Sequence, residues 1–543
     1  MGALISATYL SCIPAAAQVA YNLRAVVGGG EQETGPGQSV KLVSTLGMAI
    51  APDGSLFFVD LNRVLRLDIG TNLVSVVAGN PATTVLGGFS GDGGPAVDAL
   101  LNEPYDIAFD AAGNIFIADN GNLRLRRIDK ITGIISTVAG TGVFGYSGDD
   151  GPAVDAQLGF VRGLSIDLTG GLLLSDYAFP ATRIRRIDLQ TGVITTFAGG
   201  GTSSADNVAA TTAALCSDSR AFAAPDAYVY VSDCDKVRRI SPGTNLISTY
   251  VNSAGASGTN ADGSVAAITK LYTASTLAMD LDGNLLVVEL DQGKVRRVDK
   301  ATTIVTTIVG GSSEFFPGPD SSPAVDTRLN QPRGIVVSAT GTIYLAAGST
   351  ARVLALAPVP FGLSRVSLAK FHPAPASYPN QILVDRAATI AGPVTIEPRA
   401  ATQVSATEVG HIAQFYFNGF IANFAGVSAV DQNMVPVGTV TAKRSDSHNS
   451  EIQVALSSVP DRQRVTITLN GINGGPNYSV SMGFLLGDVN GDGVVDVADL
   501  TATKSRAAQI AIDATGRYDI SVNGVVTASD IAAIKARYGN ALR

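Results

Sequence analysis

The stretch of sequence that decides the fold is Leu101–Gly140, which reads LNEPYDIAFDAAGNIFIADNGNLRLRRIDKITGIISTVAG. Its pattern is Leu-x-x-Pro-x-x-Ile-Ala-x-Asp, then Gly-Asn with a hydrophobic run ending in Asp, then Arg-x-Arg-Arg-Ile-Asp, then Thr-Gly-x-Ile-x-Thr-Val-Ala-Gly. The pattern returns at Leu158–Gly199, and the residue that ends its second strand recurs at Asp60, Asp119, Asp176, Asp233, Glu289 and Ala347. One such unit cannot bury its own faces, so the repeat predicts neighbouring copies that pack on each other.

Each copy predicts four short strands. Apolar or alternating runs such as Asn114–Ala118 and Arg124–Ile128 are separated by Gly, Asp and Asn turns, which are strand signals. Six copies of four strands predict a mainly β chain with a six-bladed β-propeller. The last copy lacks a fourth strand after Leu356, whereas Leu23–Gly29 stands alone before the first copy. We expect Leu23–Gly29 to supply the outer strand of the last blade, which closes the ring and removes open sheet edges.

The repeat resembles the NHL repeat, a family that builds such propellers, over about residues 20–360. Ala357-Pro358-Val359-Pro360 then marks a linker. Residues 361–483 contain alternating runs such as Gln463–Leu469, followed by an Asn-Gly turn, and predict a small β-sandwich. This segment resembles the immunoglobulin-like (Ig-like) spacers that often precede dockerins.

Near the C-terminus, the run that starts at Asp488 has the spacing of a calcium loop, with oxygen ligands on alternate residues and Gly493 at the sharp turn. A second loop of the same spacing starts at Asp519. The first loop offers four carboxylates and the second offers two, so we expect two Ca²⁺ sites, the second weaker. The expected ligands are Asp488, Asn490, Asp492, the Val494 carbonyl, Asp496 and Asp499 in the first loop, and Asp519, Ser521, Asn523, the Val525 carbonyl, Thr527 and Asp530 in the second. The alternative is an Asp/Asn/Gly turn that binds no metal.

Each loop runs into a short helical pattern, and residues 484–543 together resemble a type I dockerin. The resemblance implies a small α module that folds on calcium and binds a cohesin-like protein. By the family's pattern the partner-binding residues are Val497, Ala498, Lys504, Arg506, Ala528, Ser529, Lys535 and Arg537. The alternative for the four basic residues is that they are solvated cations near helix C-termini, where they complement the helix dipole.

The termini and the charge limit the cellular context. Residues 3–17 are apolar and end in small residues, as a signal peptide cut near Ala17 would, although a basic start is missing. We expect residues 1–19 to be this signal-like segment and the protein to be secreted; the alternative is that they pack against the fold. A formal charge of -8 and a pI near 5.0 do not indicate the basic surface that nucleic-acid binding requires. The later sequence has no apolar stretch long enough to predict a membrane span.

Cysteine and histidine usage bears on the chemistry of the propeller. Cys216 and Cys234 lie in one repeat and lack the second pair that a zinc site requires, so we expect a disulfide between them. The three histidines, His372, His411 and His448, all follow the propeller. The commonest general base and transition-metal ligand is therefore absent from the six repeats.

Three sets of propeller residues are candidates for function. The acids that end the second strands lie beside an Arg-Arg strand, so we expect ion pairs inside each repeat. The loops at Ser90–Ala96 and Ser147–Ala153 are explained by turn chemistry. Counting fourteen residues back from each strand-end position gives the expected start of the innermost strands, at Leu46, Tyr105, Arg162, Ser219, Ser275 and Arg333. Tyr105, Arg162 and Arg333 are the predicted ligand-binding residues, since guanidinium groups suit carboxylate or phosphate. The alternative is that the two arginines are solvated or pair within their own blades.

The leading hypothesis is a secreted, non-catalytic modular binding protein. Its propeller binds a protein or glycan, and its dockerin tethers it through calcium to a partner in a polysaccharide-related context. The alternative is an extracellular polysaccharide-active hydrolase or lyase with its site at the mouth of the propeller. A third possibility is a structural surface component whose dockerin folds against its own chain.

Overall fold

The computed structural model of the chain describes residues 20–80, 87–253, 262–310, 322–359, 363–371, 381–385, 402–403, 409–417, 421, 424–431, 433–444, 451–457, 463–472 and 477–484. Packing divides the chain into two compact units, of which one is Tyr21–Pro358 and the second begins at Val359. In the described ranges both units consist of antiparallel strands, and the helical segments are three-residue 3-10 turns.

Six antiparallel sheets, named blades 1 to 6, form the unit Tyr21–Pro358. The first strand in the described ranges is β1 (Ala20–Val27). Blade 1 contains β2 (Gly35–Pro36), β3 (Thr45–Ile50), β4 (Leu56–Asp60), β5 (Arg63–Asp68) and β6 (Leu73–Ala78). Blade 2 contains β7 (Pro104–Phe109), β8 (Ile115–Asp119), β9 (Arg124–Ile128) and β10 (Ile135–Ala139). Blade 3 contains β11 (Gly151–Pro152), β12 (Phe160–Ile166), β13 (Leu172–Ala178), β14 (Ala181–Ile187) and β15 (Val193–Gly199).

The other three blades repeat this order. Blade 4 contains β16 (Val208–Ala209), β17 (Arg220–Ala223), β18 (Val229–Asp233), β19 (Lys236–Ile240) and β20 (Leu246–Val251). Blade 5 contains β21 (Ser264–Val265), β22 (Ala274–Met279), β23 (Leu285–Glu289), β24 (Lys294–Val298) and β25 (Ile304–Val309). Blade 6 contains β26 (Ser322–Pro323), β27 (Pro332–Val337), β28 (Ile343–Ala347) and β29 (Arg352–Val359), together with β1.

The innermost strands form a closed ring. They are β3, β7, β12, β17, β22 and β27, and each contacts the innermost strand of the next blade, with β27 returning to β3. This is a six-bladed β-propeller, as predicted. The join lies in blade 6, where β1 pairs with β29 and the two-residue β26 pairs with β1 through Leu23 and Ser322. The prediction that Leu23–Gly29 supplies the outer strand of the last blade is confirmed for the strand, which ends at Val27.

Both faces of each blade are buried, which explains why the second strands are continuous apolar runs. All five residues of β8 are buried. Ile115 and Ile117 belong to a hydrophobic cluster that blades 1 and 2 share, whereas Phe116 and Ala118 belong to a cluster that blades 2 and 3 share. Because successive side chains of a strand point to opposite faces, one run fills both interfaces. Burying a side chain such as Phe116 contributes about 1.5–3 kcal/mol.

The second unit contains two sheets with one core. One sheet has the order β31–β30–β33–β36–β35 with β32 paired to β33, and the other has the order β34–β37–β38. The strands are β30 (Leu363–Phe371), β31 (Gln381–Asp385), β32 (Thr402–Gln403), β33 (Val409–Phe417), β34 (Gly426–Asp431), β35 (Thr439–Arg444), β36 (Glu451–Ser457), β37 (Gln463–Asn470) and β38 (Tyr478–Phe484). Phe415 on β33, Val454 on β36 and Ile467 on β37 lie in one buried cluster, so the two sheets pack as a β-sandwich. Its likeness to immunoglobulin-like spacers stays a prediction.

Candidate functional site

The acids that end the second strands are bound to arginines of their own blades, which confirms that prediction. The N···O distances are 2.9 Å for Arg63–Asp60, 3.3 Å for Arg126–Asp119, 3.5 Å for Arg185–Asp176, 3.9 Å for Arg238–Asp233 and 3.4 Å for Arg296–Glu289. In blades 2 to 5 the arginine lies opposite the residue two positions before the acid, whereas in blade 1 that position is Leu65 and the pairing arginine is Arg63, directly opposite Asp60. Blade 6 has Ala347 in place of the acid and Leu354 at the first of these positions, but it keeps Arg352 opposite Ala347. Each of the five acids is paired within its own blade, which favours a structural role for them.

The loops at Ser90–Ala96 and Ser147–Ala153 bind the same arginines from the other side. Asp92 accepts hydrogen bonds from Nε and Nη2 of Arg126, at 3.0 and 2.6 Å. Asp149 accepts the same pair of bonds from Arg185, again at 3.0 and 2.6 Å. The aspartates of these loops are therefore occupied within the blades, which favours a structural role over a ligand site.

The innermost strands surround a central cavity of about 360 Å³. Most of its lining residues are apolar by type, such as Ala49, Leu277 and Ile335, although polar atoms make up slightly more than half of the exposed lining. Its polar lining includes Asp106, Arg220 and Arg333 near the starts of the innermost strands. A pocket with apolar walls and a few polar groups at one end is the usual form of a ligand site.

Arg220 crosses the channel. It begins β17 in blade 4, yet its Nη2 donates to the Tyr105 hydroxyl in blade 2 at 3.0 Å, and its Nη1 donates to the Arg333 carbonyl in blade 6 at 3.3 Å. Blades 2 and 6 each lie two blades away from blade 4. Gly163 leaves space for the side chain, because a Cβ at that position would lie 3.3 Å from Cβ of Arg220. Arg220 is only 7% exposed, and its buried Nε has no hydrogen-bond partner among the described residues.

Tyr105, Arg162, Asp218, Arg220 and Arg333, named the arginine cluster, form one chain of contacts at this end of the channel. Arg333 Nη1 donates to the Tyr105 hydroxyl at 3.1 Å, so this oxygen accepts from two arginines. Arg162 Nη1 donates to Asp218 Oδ1 at 2.9 Å, and Asp218 Oδ2 lies 3.6 Å from Nη2 of Arg220. The structure therefore links Tyr105, Arg162 and Arg333, the three residues predicted from sequence, through Asp218 and Arg220, which the sequence reasoning missed.

The count selected Ser219 because it returns one position per blade, and Arg220 lies at the next one, which is the position of Asp106 in blade 2 and Gly163 in blade 3. Blade 4 also departs from the ladder of the other blades. In the other five blades the innermost strand extends through an irregularity and pairs with the strand-end position, as Val161 does with Asp176. In blade 4 the pairing starts only at Arg220 and Ser232. Ser219 is buried and donates to Asp233 Oδ1 at 2.8 Å.

The segment before Arg220 is held by covalent and polar contacts. Cys216 and Cys234 are joined as a disulfide, with their Cα atoms 6.0 Å apart. The main-chain N–H of Cys216 donates to Asp233 Oδ1 at 2.8 Å. In the sequence, the cysteine pair Cys216 and Cys234 is the feature that distinguishes this blade from the other five.

Asp106 lies beside the cluster on the cavity wall. Its carboxylate accepts the N–H of Leu164 from blade 3 at 2.8 Å and the N–H of Ile107 at 2.9 Å. Burial raises the pKa of this carboxyl to about 6, against the opposing effect of these bonds and of Arg220. Asp106 is thus a cavity-lining acid whose pKa is raised by burial.

Several predicted residues lie outside the described residues. These are the signal-like segment 1–19, both calcium loops with all twelve expected ligands, the eight partner-binding residues, and His372 and His448. His411 lies in β33. Within the described ranges, no three His, Cys, Asp or Glu residues are placed to hold a metal ion. The same ranges contain no helix with the length and apolar character that a membrane crossing requires.

Residues 486–537 match the family model of the dockerin type I domain. The chain therefore has a C-terminal dockerin type I domain, in addition to its six-bladed propeller. Dockerin type I domains bind calcium, imply a cohesin partner, and occur in extracellular or cell-surface proteins. This domain supports a tether role for the C-terminal end of the chain.

Curated relatives match part of the chain. The chain is 27% identical to mouse teneurin-3 over 351 residues, which is 58% of this chain and 12% of the relative. It is 25% identical to human teneurin-1 over 367 residues, covering 59% of this chain and 12% of the relative. A match to the Arabidopsis thaliana protein SUPPRESSOR OF QUENCHING 1 has 28% identity over 160 residues, 28% of this chain and 15% of the relative. The chain thus spans only a small part of each relative.

Solved structures overlap with it at low identity. An auxiliary nutrient binding protein from Bacteroides thetaiotaomicron has a TM-score of 0.46 and 14% identity, covering 63% of this chain and 77% of that one. A gluconolactonase from Xanthomonas campestris has a TM-score of 0.40 and 13% identity, covering 62% and 90%. Virginiamycin B lyase from Staphylococcus aureus has a TM-score of 0.37 and 12% identity, covering 62% and 100%. The assignment as a propeller rests on the strand order of this chain.

Proposed function

We propose that this chain is an extracellular, non-catalytic binding protein whose propeller binds a ligand at its central channel and whose dockerin tethers it to a cohesin. The match over residues 486–537 carries the proposal. The channel supports a binding role for the propeller, because it is lined by apolar groups and ends in a cluster of arginines. A disulfide in blade 4 suits the oxidising environment outside the cell. A polysaccharide-related context belongs to the proposal as well.

The tether requires two calcium ions in the dockerin. Asp488, Asp492 and Asp499 hold the first ion with the other oxygens of their loop, and Asp519 and Asp530 hold the second more weakly. The ions order the helices that carry the partner-binding residues, because binding free energy at such sites is folding free energy. Binding to a cohesin should therefore be lost when calcium is removed.

A pull-down of the full chain on purified type I cohesin modules tests the tether, with calcium and with excess chelator. We expect retention only with calcium, and loss of retention in the variant Asp488→Ala/Asp492→Ala. The matched control is Asp188→Ala, an acid on a propeller turn, which should be retained like the unmodified chain. Absence of calcium-dependent retention on every type I cohesin tried would overturn the proposal.

Asp106 favours a second candidate function, a polysaccharide-active hydrolase or lyase. An acid with a pKa of about 6 on the wall of a cavity has the property that general acid–base catalysis requires. The full chain should be incubated with neutral and uronate-containing polysaccharides, followed by an assay for new chain ends. Cleavage that disappears in Asp106→Asn but persists in Asp155→Asn would favour the enzyme, and no cleavage would favour the binding protein.

A further inference from the structure

The arginine cluster has more hydrogen-bond donors than acceptors. A tyrosine hydroxyl has two acceptor lone pairs and one donor hydrogen. Both lone pairs of Tyr105 are used by Arg220 and Arg333, so its hydrogen must be donated elsewhere. No acceptor for that hydrogen exists in the part of the chain that the structure describes. A ligand oxygen would complete the bonding of this hydroxyl.

The arginines have the same surplus. Arg162 donates through Nη1 to Asp218, and Arg333 donates through Nη1 to Tyr105; among the described residues the other N–H groups of both side chains are without acceptors. Arg220 adds a buried Nε without a partner. An unsatisfied buried donor costs about 1–3 kcal/mol, which applies to Arg220 Nε, whereas the donors of Arg162 and Arg333 are partly exposed and therefore accessible to a ligand.

The net charge of the site limits the charge that its ligand can carry. Three guanidinium groups face the carboxylates of Asp218 and Asp106, which leaves a formal charge of +1 when both acids are ionised. Arg162 and Arg333 belong to blades 3 and 6, on opposite sides of the six-membered ring, so their free donors flank the opening. A planar monoanion that accepts from two guanidinium groups matches this arrangement better than a dianion does.

We propose that the arginine cluster binds a carboxylate group of the propeller's ligand, with Arg162 and Arg333 as the charged donors and Tyr105 as a neutral donor. The assignment rests on the proposed function, because it names the ligand class of the same channel. A uronic acid unit of a glycan carries such a carboxylate, and so does an acidic peptide side chain. The cluster recognises the group that they share.

Calorimetric titration of the full chain compares D-glucuronate with D-glucose, which lacks the carboxylate. N-acetyl-aspartate amide represents the peptide source, and inorganic phosphate at equal ionic strength represents a different anion. We expect glucuronate or the aspartate derivative to bind and glucose not to bind. Of these two, the tighter binder identifies the source. No preference for a carboxylate over glucose, or tighter binding of phosphate than of both carboxylates, would overturn the proposal.

Variants separate ligand contact from structural support. Arg333→Gln removes a donor without leaving an acid unpaired, and it should weaken glucuronate binding roughly tenfold, as the loss of a charge-assisted hydrogen bond does. Asp218→Asn should instead tighten binding severalfold, because it removes a negative charge from the site. The matched control is Arg127→Gln, whose side chain is 31% exposed, close to the 33% of Arg162, and pairs with Asp129 on its own blade. Equal affinity in all three variants would overturn the assignment.

The cohesin pull-down on the same samples keeps the two proposals apart. A chain that binds cohesin with calcium but shows no preference for carboxylates keeps its tether and loses only the ligand assignment. A chain that binds glucuronate but no cohesin keeps the ligand assignment and loses the tether.

Discussion

Replacing Arg185 by leucine should destabilise blade 3 strongly, and adding Asp176→Asn should restore much of the loss. Arg185 is fully buried and donates to Asp149 and to the carbonyls of Ser147 and Gln157. Without it, the carboxylate of Asp176 remains buried with the Gly159 N–H as its one hydrogen-bond donor. Removing one partner of a buried ion pair costs about 3–5 kcal/mol. Asparagine at position 176 keeps the acceptor for Gly159 but has no charge, so the double variant should recover about 2 kcal/mol or more.

Hydrogen–deuterium exchange of β13 in the full chain measures this effect locally, since a multidomain chain has no single unfolding free energy. A loss of about 3 kcal/mol accelerates exchange through opening roughly a hundredfold. Arg127→Gln is the control, and an exposed pair of this kind contributes about 1 kcal/mol or less. If exchange is equally fast in Arg185→Leu and in the double variant, the charge of Asp176 is not the cause and the structural assignment of the strand-end acids is wrong.

Three further results are expected. Burial raises the pKa of Asp176 to about 6, whereas the pKa of an unfolded Asp is about 3.9. The folded state therefore binds more protons between these two values, so propeller stability falls as the pH rises from about 4 to about 6. In Asp176→Asn the hydrogen–deuterium exchange rate should depend less steeply on pH over that range. Reduction of the disulfide, or Cys216→Ser/Cys234→Ser, should weaken glucuronate binding by freeing the segment that carries Asp218 and Arg220, and unchanged affinity would show that the other contacts suffice. Chelation should unfold residues 485–543 and leave the propeller melt unchanged, and circular dichroism that keeps its helical signal after chelation would contradict this.

The regular parts of the fold were predictable because the same pattern recurs in each repeat. The second strand of a blade is covered by neighbouring blades on both faces, so it is apolar along most of its length. An acid at its end, beside a strand with two arginines, predicts an ion pair such as the one between Asp119 and Arg126. Ring closure followed from counting strands at the two ends of the propeller. These inferences need only local sequence and the requirement that every blade be covered on both faces.

The candidate site was predictable only in part, because it depends on contacts between distant blades. Arg220 reaches Tyr105 across 115 positions of sequence, and Asp106 accepts the N–H of Leu164 across 58. The residue pattern of a single blade gives no information on contacts between residues so far apart in the sequence. The register count found Tyr105, Arg162 and Arg333 because they share one position of the repeat, and it missed Arg220 because Arg220 lies one position further along its strand.

The charge at this end of the channel comes from four blades, since Asp106 belongs to blade 2, Arg162 to blade 3, Asp218 and Arg220 to blade 4 and Arg333 to blade 6. The strand-end acids of blades 1 to 5, Asp233 of blade 4 among them, pair with arginines of their own sheets and do not supply it. In blade 4 the ladder is shorter, the disulfide holds the preceding turn, and an additional arginine and aspartate enter the opening. Arg220, which follows this turn, contacts the Tyr105 hydroxyl and the Arg333 carbonyl, and this is the arrangement that the proposed carboxylate would meet.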